Sequence, residues 1–85
     1  MRITIKLYSM LRSYYKDGEN GVGILEFPDG AKIADVLKEL GVPDKMPKIM
    51  LINGEQKSLA DPLAEGDTLS VFPPMAGGSN AILTL

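Results

Sequence analysis

The segment AKIADVLKEL, residues 31–40, decides which fold this chain can adopt. Its apolar residues recur at positions i, i+3, i+4 and i+7, namely Ile33, Val36, Leu37 and Leu40. This spacing places them on one stripe of an amphipathic helix. Asp29 is predicted to cap the start of the helix, and Gly41 and Pro43 to end it. A single apolar stripe is most economically buried against one face of a sheet.

Strands are predicted on both sides of this helix. RITIKLY, residues 2–8, alternates apolar and polar side chains, as expected for a strand with one buried face. The other predicted strands are VGILEF before the helix, and KIMLI and TLSVF after it. SMLRSYYKDGENG is interpreted as a loop, NGE as a tight turn, and SLADPLAEGD as a loop with at most one helical turn. We place the first and last strands side by side at the sheet centre, covered by the helix, which gives an α+β roll.

The amino-acid composition excludes several kinds of functional site. The 85 residues include no cysteine and no histidine, so disulfides, zinc fingers, thiol nucleophiles and Ser-His pairs are excluded, and no metal site is predicted. A net charge of -2 without basic runs argues against nucleic-acid binding. The N-terminal stretch does not have the apolar core of a signal peptide, and no segment is long enough to span a membrane. We therefore expect a cytoplasmic protein.

The C-terminal segment VFPPMAGGSNAILTL, residues 71–85, combines stiff and unrestricted backbone. Pro73 and Pro74 stiffen the exit from the last strand, whereas Gly77 and Gly78 give the chain freedom. Taken alone, a Gly-Gly pair marks a turn or a linker more often than a reactive chain end. The segments before it change that interpretation.

The order of elements, followed by LAEGDTLSVFPPMAGG at residues 63–78, resembles the small sulfur carriers of the ubiquitin-like β-grasp superfamily. That group includes the small subunit of molybdopterin synthase and the sulfur carrier of the thiamine pathway, and the Phe-Pro-Pro context looks closest to the molybdopterin branch. The resemblance covers residues 1–78, and ING at residues 52–54 also matches a family turn. It implies a β-grasp roll, with a mixed sheet of four to five strands and one main helix on one face.

In that family, an E1-like enzyme uses ATP to adenylate the carboxylate of the last glycine, which then becomes a sulfur-donating thiocarboxylate. The resemblance assigns this role to Gly78, and it assigns Pro73, Pro74 and Gly77 to threading the tail into a partner. It further implies a synthase large subunit that accepts the sulfur. The chain itself would bind no cofactor, because ATP belongs to the activating enzyme, and it would be a carrier or non-catalytic subunit rather than an enzyme on its own.

A docking surface is predicted beside the tail. If the first and last strands are parallel neighbours, Tyr8 and Phe72 both face away from the helix at the same end of the sheet. Met50 or Ile52 is expected to extend this apolar surface, which in the family binds the partner enzymes. Arg12 matches a position that is often basic in the family, but a solvated arginine is the interpretation we favour.

Residues 79–85 depart from the family pattern, because family members generally end at the second glycine. An amide at Gly78 cannot be adenylated as a free carboxylate can, so the resemblance implies a domain of residues 1–78 and an extension removed by a processing metalloprotease. Alternatively, AILTL docks on a sheet edge or another chain, or the extension was added for expression. Two other functions stay open: a β-grasp interaction domain that keeps its tail, and a ubiquitin-like modifier conjugated through Gly78.

Overall fold

The computed structural model describes residues 1–15 and 18–74. The strands are β1 (Arg2–Leu7), β2 (Val22–Glu26), β3 (Ile49–Ile52), β4 (Glu55–Lys57) and β5 (Thr68–Phe72). A 3-10 helix (Ser9–Tyr14) follows β1, and helix α1 (Ile33–Leu40) follows β2. Among the described residues, no helix has the length and apolar character needed to cross a membrane.

The five strands form one mixed sheet in the order β2-β1-β5-β3-β4. Strands β1 and β5 are parallel, with Ile5 opposite Leu69, and the other neighbouring pairs are antiparallel. The predicted adjacency of the first and last strands is therefore confirmed, and they have the parallel direction that the predicted docking surface requires. Because β5 is the middle strand, it is hydrogen-bonded on both sides, and it fixes the place where the C-terminal segment leaves the sheet.

The core lies between one face of the sheet and α1. Its fully buried side chains come from alternate positions of β1 and β5 and from the predicted stripe of the helix, namely Ile3, Ile5, Leu69, Val71, Ile33, Val36 and Leu37. The period-two and period-3.6 patterns in the sequence thus meet in one apolar layer. Gly41 ends α1 in the left-handed conformation, with φ 86°, as predicted.

The predicted N-cap of α1 is wrong. The helix begins at Ile33, and Asp29 is an exposed residue 3.8 Å from the amino group of Met1. The backbone N–H groups of Ile33 and Ala34 donate instead to the carbonyl oxygens of Asp61 (3.1 Å) and Leu59 (2.9 Å). The donors of Ile33 and Ala34 are therefore satisfied by a loop that is distant in sequence, and the N–H of Lys32, the residue before the helix, donates to Asp35 Oδ2 (2.9 Å), so Asp29 has no capping role.

One loop prediction is wrong and another is confirmed. Residues 9–14 form a 3-10 helix that buries Leu11, where a loop is predicted. Residues 58–67 form a loop of turns with one bridge, as predicted, and the optional helical turn is absent. The NGE turn is confirmed, because Asn53 (φ 52°) and Gly54 (φ 89°) both adopt the left-handed conformation of a two-residue hairpin and lead into β4.

Replacing Gly23 with alanine is expected to destabilise the fold by about 1–3 kcal/mol. The ring of Tyr15 lies against Gly23, so that an added Cβ would meet its Cζ at 2.7 Å. Urea unfolding measures the effect. Gly54→Ala is the matched control, because nothing lies within 4 Å of its Cβ and any cost there comes from the positive φ alone. A Gly23→Ala protein as stable as the parent would contradict this packing.

The turn of residues 58–61, which contacts the start of α1, is expected to be less stable at acidic pH. Asp61 Oδ2 accepts hydrogen bonds from the backbone N–H (2.7 Å) and the hydroxyl (3.1 Å) of Ser58, and these bonds hold the pKa of Asp61 below its ordinary value. The carboxylate therefore stabilises the fold above the unfolded-state pKa, and this contribution is lost as the pH falls through the lowered folded-state value.

The Asp61→Asn variant tests whether the contribution of Asp61 to the free energy of unfolding decreases as the pH falls. Its amide cannot titrate, so the difference in free energy of unfolding between parent and variant is expected to shrink as the pH is lowered from neutral to about 3. Urea unfolding at a series of pH values provides the measurement. A difference that stays constant over this range would contradict the assignment.

Candidate functional site

Two aromatic rings lie side by side where β5 ends. The rings of Tyr8 and Phe72 are stacked, with centroids 4.2 Å apart and planes 11° from parallel. The parallel pairing of β1 with β5 produces this contact, because Leu7 lies opposite Val71 and the Tyr8 N–H donates to the Val71 carbonyl oxygen (3.1 Å). The predicted placement of both rings away from the helix is confirmed, whereas their role in binding stays a prediction.

Strand β3 extends this surface, but through other residues than those predicted. Ile49 lies opposite Phe72, and Leu51 lies opposite Ser70, so both half-buried side chains share the face of Phe72. We call Tyr8, Ile49, Leu51 and Phe72 the aromatic patch. The patch lies on the face of the sheet opposite α1.

The prediction that Met50 or Ile52 extends this surface is wrong. They are 9% and 8% exposed and belong to the core, because β3 places them opposite Val71 and Leu69. Four consecutive apolar residues in KIMLI give no signal of phase, and a shift of one residue exchanges the two faces of a strand. Only the pairing with β5 decides which face receives which side chain.

Polar residues separate the aromatic patch from a second apolar area. Lys6 and Ser70 are opposite each other on the outer face, and on the far side of β1 the edge strand β2 exposes Val22 and Ile24. Ile24 is 54% exposed. This second area is not among the predicted surfaces, although the outward direction of Val22 and Ile24 follows from their register against β1.

Arg12 lies in the 3-10 helix that follows Tyr8. Its side chain is exposed, its Nε donates to the carbonyl oxygen of Ser9 (3.2 Å), and its stem packs so closely on Gly21 that an added Cβ there would meet Cγ at 2.6 Å. These contacts hold the Arg12 side chain against the 3-10 helix and the loop that contains Gly21. They agree with the interpretation of a solvated arginine whose stem supports the loop.

Of the residues predicted to thread the tail into a partner, the structure describes only Pro73 and Pro74. Pro73 is half-buried and Pro74 is exposed, directly after Phe72. Gly77 and Gly78 lie outside the described residues, as does the bond between Gly78 and Ser79. The described part therefore places the start of the tail beside the aromatic patch.

A small-molecule site is not evident at this patch. Within residues 1–15 and 18–74, no group of three or more acidic side chains is arranged to hold a metal ion. An open cleft of about 390 Å³ lies on the helix side, between the β2–α1 turn and residues Asp35 and Glu39. The arrangement at the tail is thus an apolar surface beside a chain exit, which is chemically suited to contact another protein surface.

The mixed sheet, the single covering helix and the order of elements define a ubiquitin-like β-grasp fold. Solved structures share it. SAMP1 from Haloferax volcanii is 22% identical and aligns over 92% of this chain and all of its own, with a TM-score of 0.68. The Haloferax volcanii HVO 2177 protein is 26% identical over 92% of this chain and 87% of its own, with a TM-score of 0.73.

A third similar structure comes from a complex of subunits 1 and 2 of the molybdopterin-converting factor of Helicobacter pylori 26695. It is 20% identical, aligns over 92% of this chain and 100% of its own, and has a TM-score of 0.60. None of the curated proteins matches the chain. The model of the ThiS family, however, matches residues 14–78, well over half of the sequence. The chain belongs to the ThiS family of small ubiquitin-like sulfur carriers.

Proposed function

We propose that this protein is the precursor of a sulfur carrier whose working end is Gly78. The observation that carries the proposal is that the family match ends at Gly78, so that residues 79–85 lie beyond the matched region. The described fold supports it, because the middle strand of the sheet leads through Pro73 and Pro74 into this segment beside an exposed apolar surface.

The proposed chemistry starts with removal of the extension. Hydrolysis of the peptide bond between Gly78 and Ser79 by a metalloprotease gives Gly78 a free carboxylate. An oxygen of this carboxylate then attacks the α-phosphorus of ATP on an E1-like enzyme, and pyrophosphate leaves. A hydrosulfide-equivalent donor attacks the acyl carbon of the adenylate and displaces AMP, which leaves a thiocarboxylate. This chain supplies the carboxylate and the docking surface, while the enzyme binds ATP.

The aromatic patch is proposed to hold the chain against its partners during these steps. Stacked Tyr8 and Phe72 rings present a rigid apolar contact, and Ile49 extends it on the neighbouring strand. The similar Helicobacter structure was determined with subunit 2 of its converting factor. We therefore propose a synthase large subunit as the sulfur acceptor, with molybdopterin or its tungsten counterpart as the product.

Adenylation tests this proposal. The chain ending at Gly78, mixed with the E1-like enzyme of the same cells and ATP, is expected to release pyrophosphate and form an acyl-adenylate, whereas the chain ending at Leu85 forms none. In the shorter chain, Gly78→Ala is expected to impair adenylation without altering the unfolding midpoint, because the methyl group meets the enzyme channel and not the core. Equal adenylation of the 1–78 and 1–85 chains would overturn the proposal.

A second candidate function is protein modification. The similarity to a structure named small archaeal modifier protein 1 favours it, although that protein is 21% identical. A modifier would join the trimmed Gly78 to lysines of other proteins and would appear in native lysates as conjugates of higher mass. A carrier would show the trimmed free chain without such conjugates. An interaction domain that retains its tail would instead be recovered intact to Leu85 and would form no adenylate.

A further inference from the structure

We infer that the open edge of β2 is a second interaction surface, which binds an extended segment of another protein with alternating apolar and cationic side chains. The segment adds a strand beside β2 and places its cationic side chains against the acidic cleft on the helix side of the sheet. This edge is separated from the aromatic patch by β1. The inference therefore goes beyond the proposed function and does not depend on it.

The backbone of β2 alternates between β1 and the open edge of the sheet. In an antiparallel pair, every second residue bonds to the neighbouring strand. The Phe27 N–H donates to the Met1 carbonyl oxygen (2.9 Å), and the Leu7 N–H donates to the Gly21 carbonyl oxygen (2.8 Å). Odd-numbered residues of β2 therefore bond to β1, and even-numbered residues direct their backbone groups to the open edge.

At this edge, the backbone groups of Ile24 and Glu26 are available to a new strand. Val22 is not available, because it exchanges two hydrogen bonds with Glu19 (2.8 and 3.0 Å). Within residues 1–15 and 18–74, the N–H and C=O groups of Ile24 and Glu26 have no partner on the open side of β2. A peptide that adds a strand to a sheet gains its affinity from main-chain hydrogen bonds to such groups.

The opposite edge of the sheet is less suited to strand addition. Strand β4 has only three residues, Glu55–Lys57, and one of them is a lysine. Short edge strands and lysine side chains are features that protect proteins from unwanted pairing. Strand β2 has five residues without lysine or proline, and it exposes the apolar side chains of Val22 and Ile24. The structure thus leaves β2 open to pairing.

Acidic side chains determine which segment fits this edge. Alternate residues of an added strand face the helix side, as Phe27 does. The cleft of about 390 Å³ on that side is lined by Asp29, Asp35 and Glu39 and by no basic side chain. No residue of the inner strands lines it, so it opens at the sheet edge. Cationic side chains of the segment therefore meet carboxylates, while its apolar side chains pack beside Ile24 on the other face.

The same charges disfavour a second copy of this chain as the occupant. Pairing two β2 strands about a two-fold axis brings the acidic clefts of both copies to the shared edge, where like charges repel. Asp29 lies 3.8 Å from the Met1 amino group, and Asp35 Oδ2 accepts a hydrogen bond from the Lys32 N–H at the start of α1 (2.9 Å). Glu39 is therefore the carboxylate that can be replaced with the least disturbance of these contacts.

Titration with a synthetic peptide tests the inference. The probe is a short peptide of alternating lysine and valine with blocked ends, added to the ¹⁵N-labelled 1–85 chain. Amide signals of Ile24, Leu25 and Glu26 are expected to shift, whereas those of Ile49 and Leu51 on the aromatic patch are expected to stay in place. The same peptide with glutamate instead of lysine is expected to bind at least about tenfold more weakly, because it meets the cleft with like charges.

Two pairs of variants separate the charge from the backbone contribution. Glu39→Lys is expected to weaken binding of the lysine peptide about three- to tenfold, whereas Glu55→Lys, the same change on the opposite edge, alters it less than about twofold. Ile24→Pro removes an N–H at the open edge and none that bonds to β1, so it is expected to weaken binding more than Ile24→Ala, which keeps the N–H. The unfolding midpoint shows whether each variant folds, and the Glu39 and Glu55 comparison stands if Ile24→Pro does not.

Several results would overturn the inference. Peptide-induced shifts at Ile49 and Leu51 would place the peptide on the aromatic patch, and shifts along β4 would show that either edge accepts a strand. Signals of β2 that move with protein concentration, and not with peptide, would assign the edge to a second copy. Equal binding of the two peptides would remove the role of charge. Adenylation of the 1–78 chain involves none of these measurements, so failure here is distinguishable from failure of the proposed function.

Discussion

Replacing Phe72 with aspartate in the chain that ends at Gly78 is expected to weaken its binding to the proposed partner, a synthase large subunit, by about 100-fold or more. Phe72 stacks on Tyr8 and faces Ile49 across the β5–β3 pair, so it is the centre of the aromatic patch. A carboxylate at this position would be desolvated against an apolar partner without a counter-charge. Isothermal titration calorimetry of the purified proteins measures the loss.

The matched control places the same charge elsewhere on the same face. Ile24 is a more exposed apolar residue on the edge strand β2, across β1 from the patch, and Ile24→Asp is expected to change the affinity less than tenfold. Both variants should keep the parent's unfolding midpoint to within a few degrees, because neither side chain is in the core. An equal loss in both variants, or no loss in Phe72→Asp, would contradict the assignment of the docking surface to the patch.

Replacing Leu69 with alanine is expected to have the largest effect on stability, about 2–5 kcal/mol. Leu69 is fully buried in the middle strand of the sheet, opposite Ile5 of β1 and Ile52 of β3. The truncation leaves a cavity between α1 and the sheet, next to Ile5 and Ile52. Because small domains have a total stability of only about 5–15 kcal/mol, this loss is a large part of the total, and the urea midpoint is expected to fall accordingly. Urea unfolding monitored by circular dichroism measures the change.

Leu51→Ala is the control that separates stability from binding. Leu51 is half-buried on the outer face, opposite Ser70, so its truncation is expected to cost less stability than that of Leu69. It removes part of the aromatic patch, however, and is expected to weaken the partner complex. A loss of stability in Leu51→Ala as large as that in Leu69→Ala would contradict the assignment of the two side chains to different faces.

The parts of the fold that were predicted correctly are those with an unambiguous period. The stripe of Ile33, Val36 and Leu37 can be buried only as a helix face, and the alternation in RITIKLY fixes which side chains of β1 meet it. These two patterns, together with the apolar face of TLSVF, were sufficient to place β1 and β5 side by side. The stacking of Tyr8 on Phe72 follows from that placement, because both lie one residue beyond an inward side chain.

The parts that could not be predicted depend on contacts between distant segments. The four residues IMLI, 49–52, are all apolar, so only their pairing with β5 shows that Met50 and Ile52 face the core while Ile49 and Leu51 face outward. The start of α1 is likewise decided by carbonyl oxygens of Leu59 and Asp61, more than twenty residues along the chain. A local capping rule has no access to such acceptors and therefore selected Asp29.

Intact mass spectrometry of the protein recovered from its own cells, grown while the cofactor pathway is active, tests the central claim most directly. We expect a chain that ends at Gly78, with part of the population heavier by the difference between one sulfur and one oxygen atom. Recovery of every molecule with residues 79–85 still attached would contradict it, because the carboxylate of Gly78 would then never be available for activation.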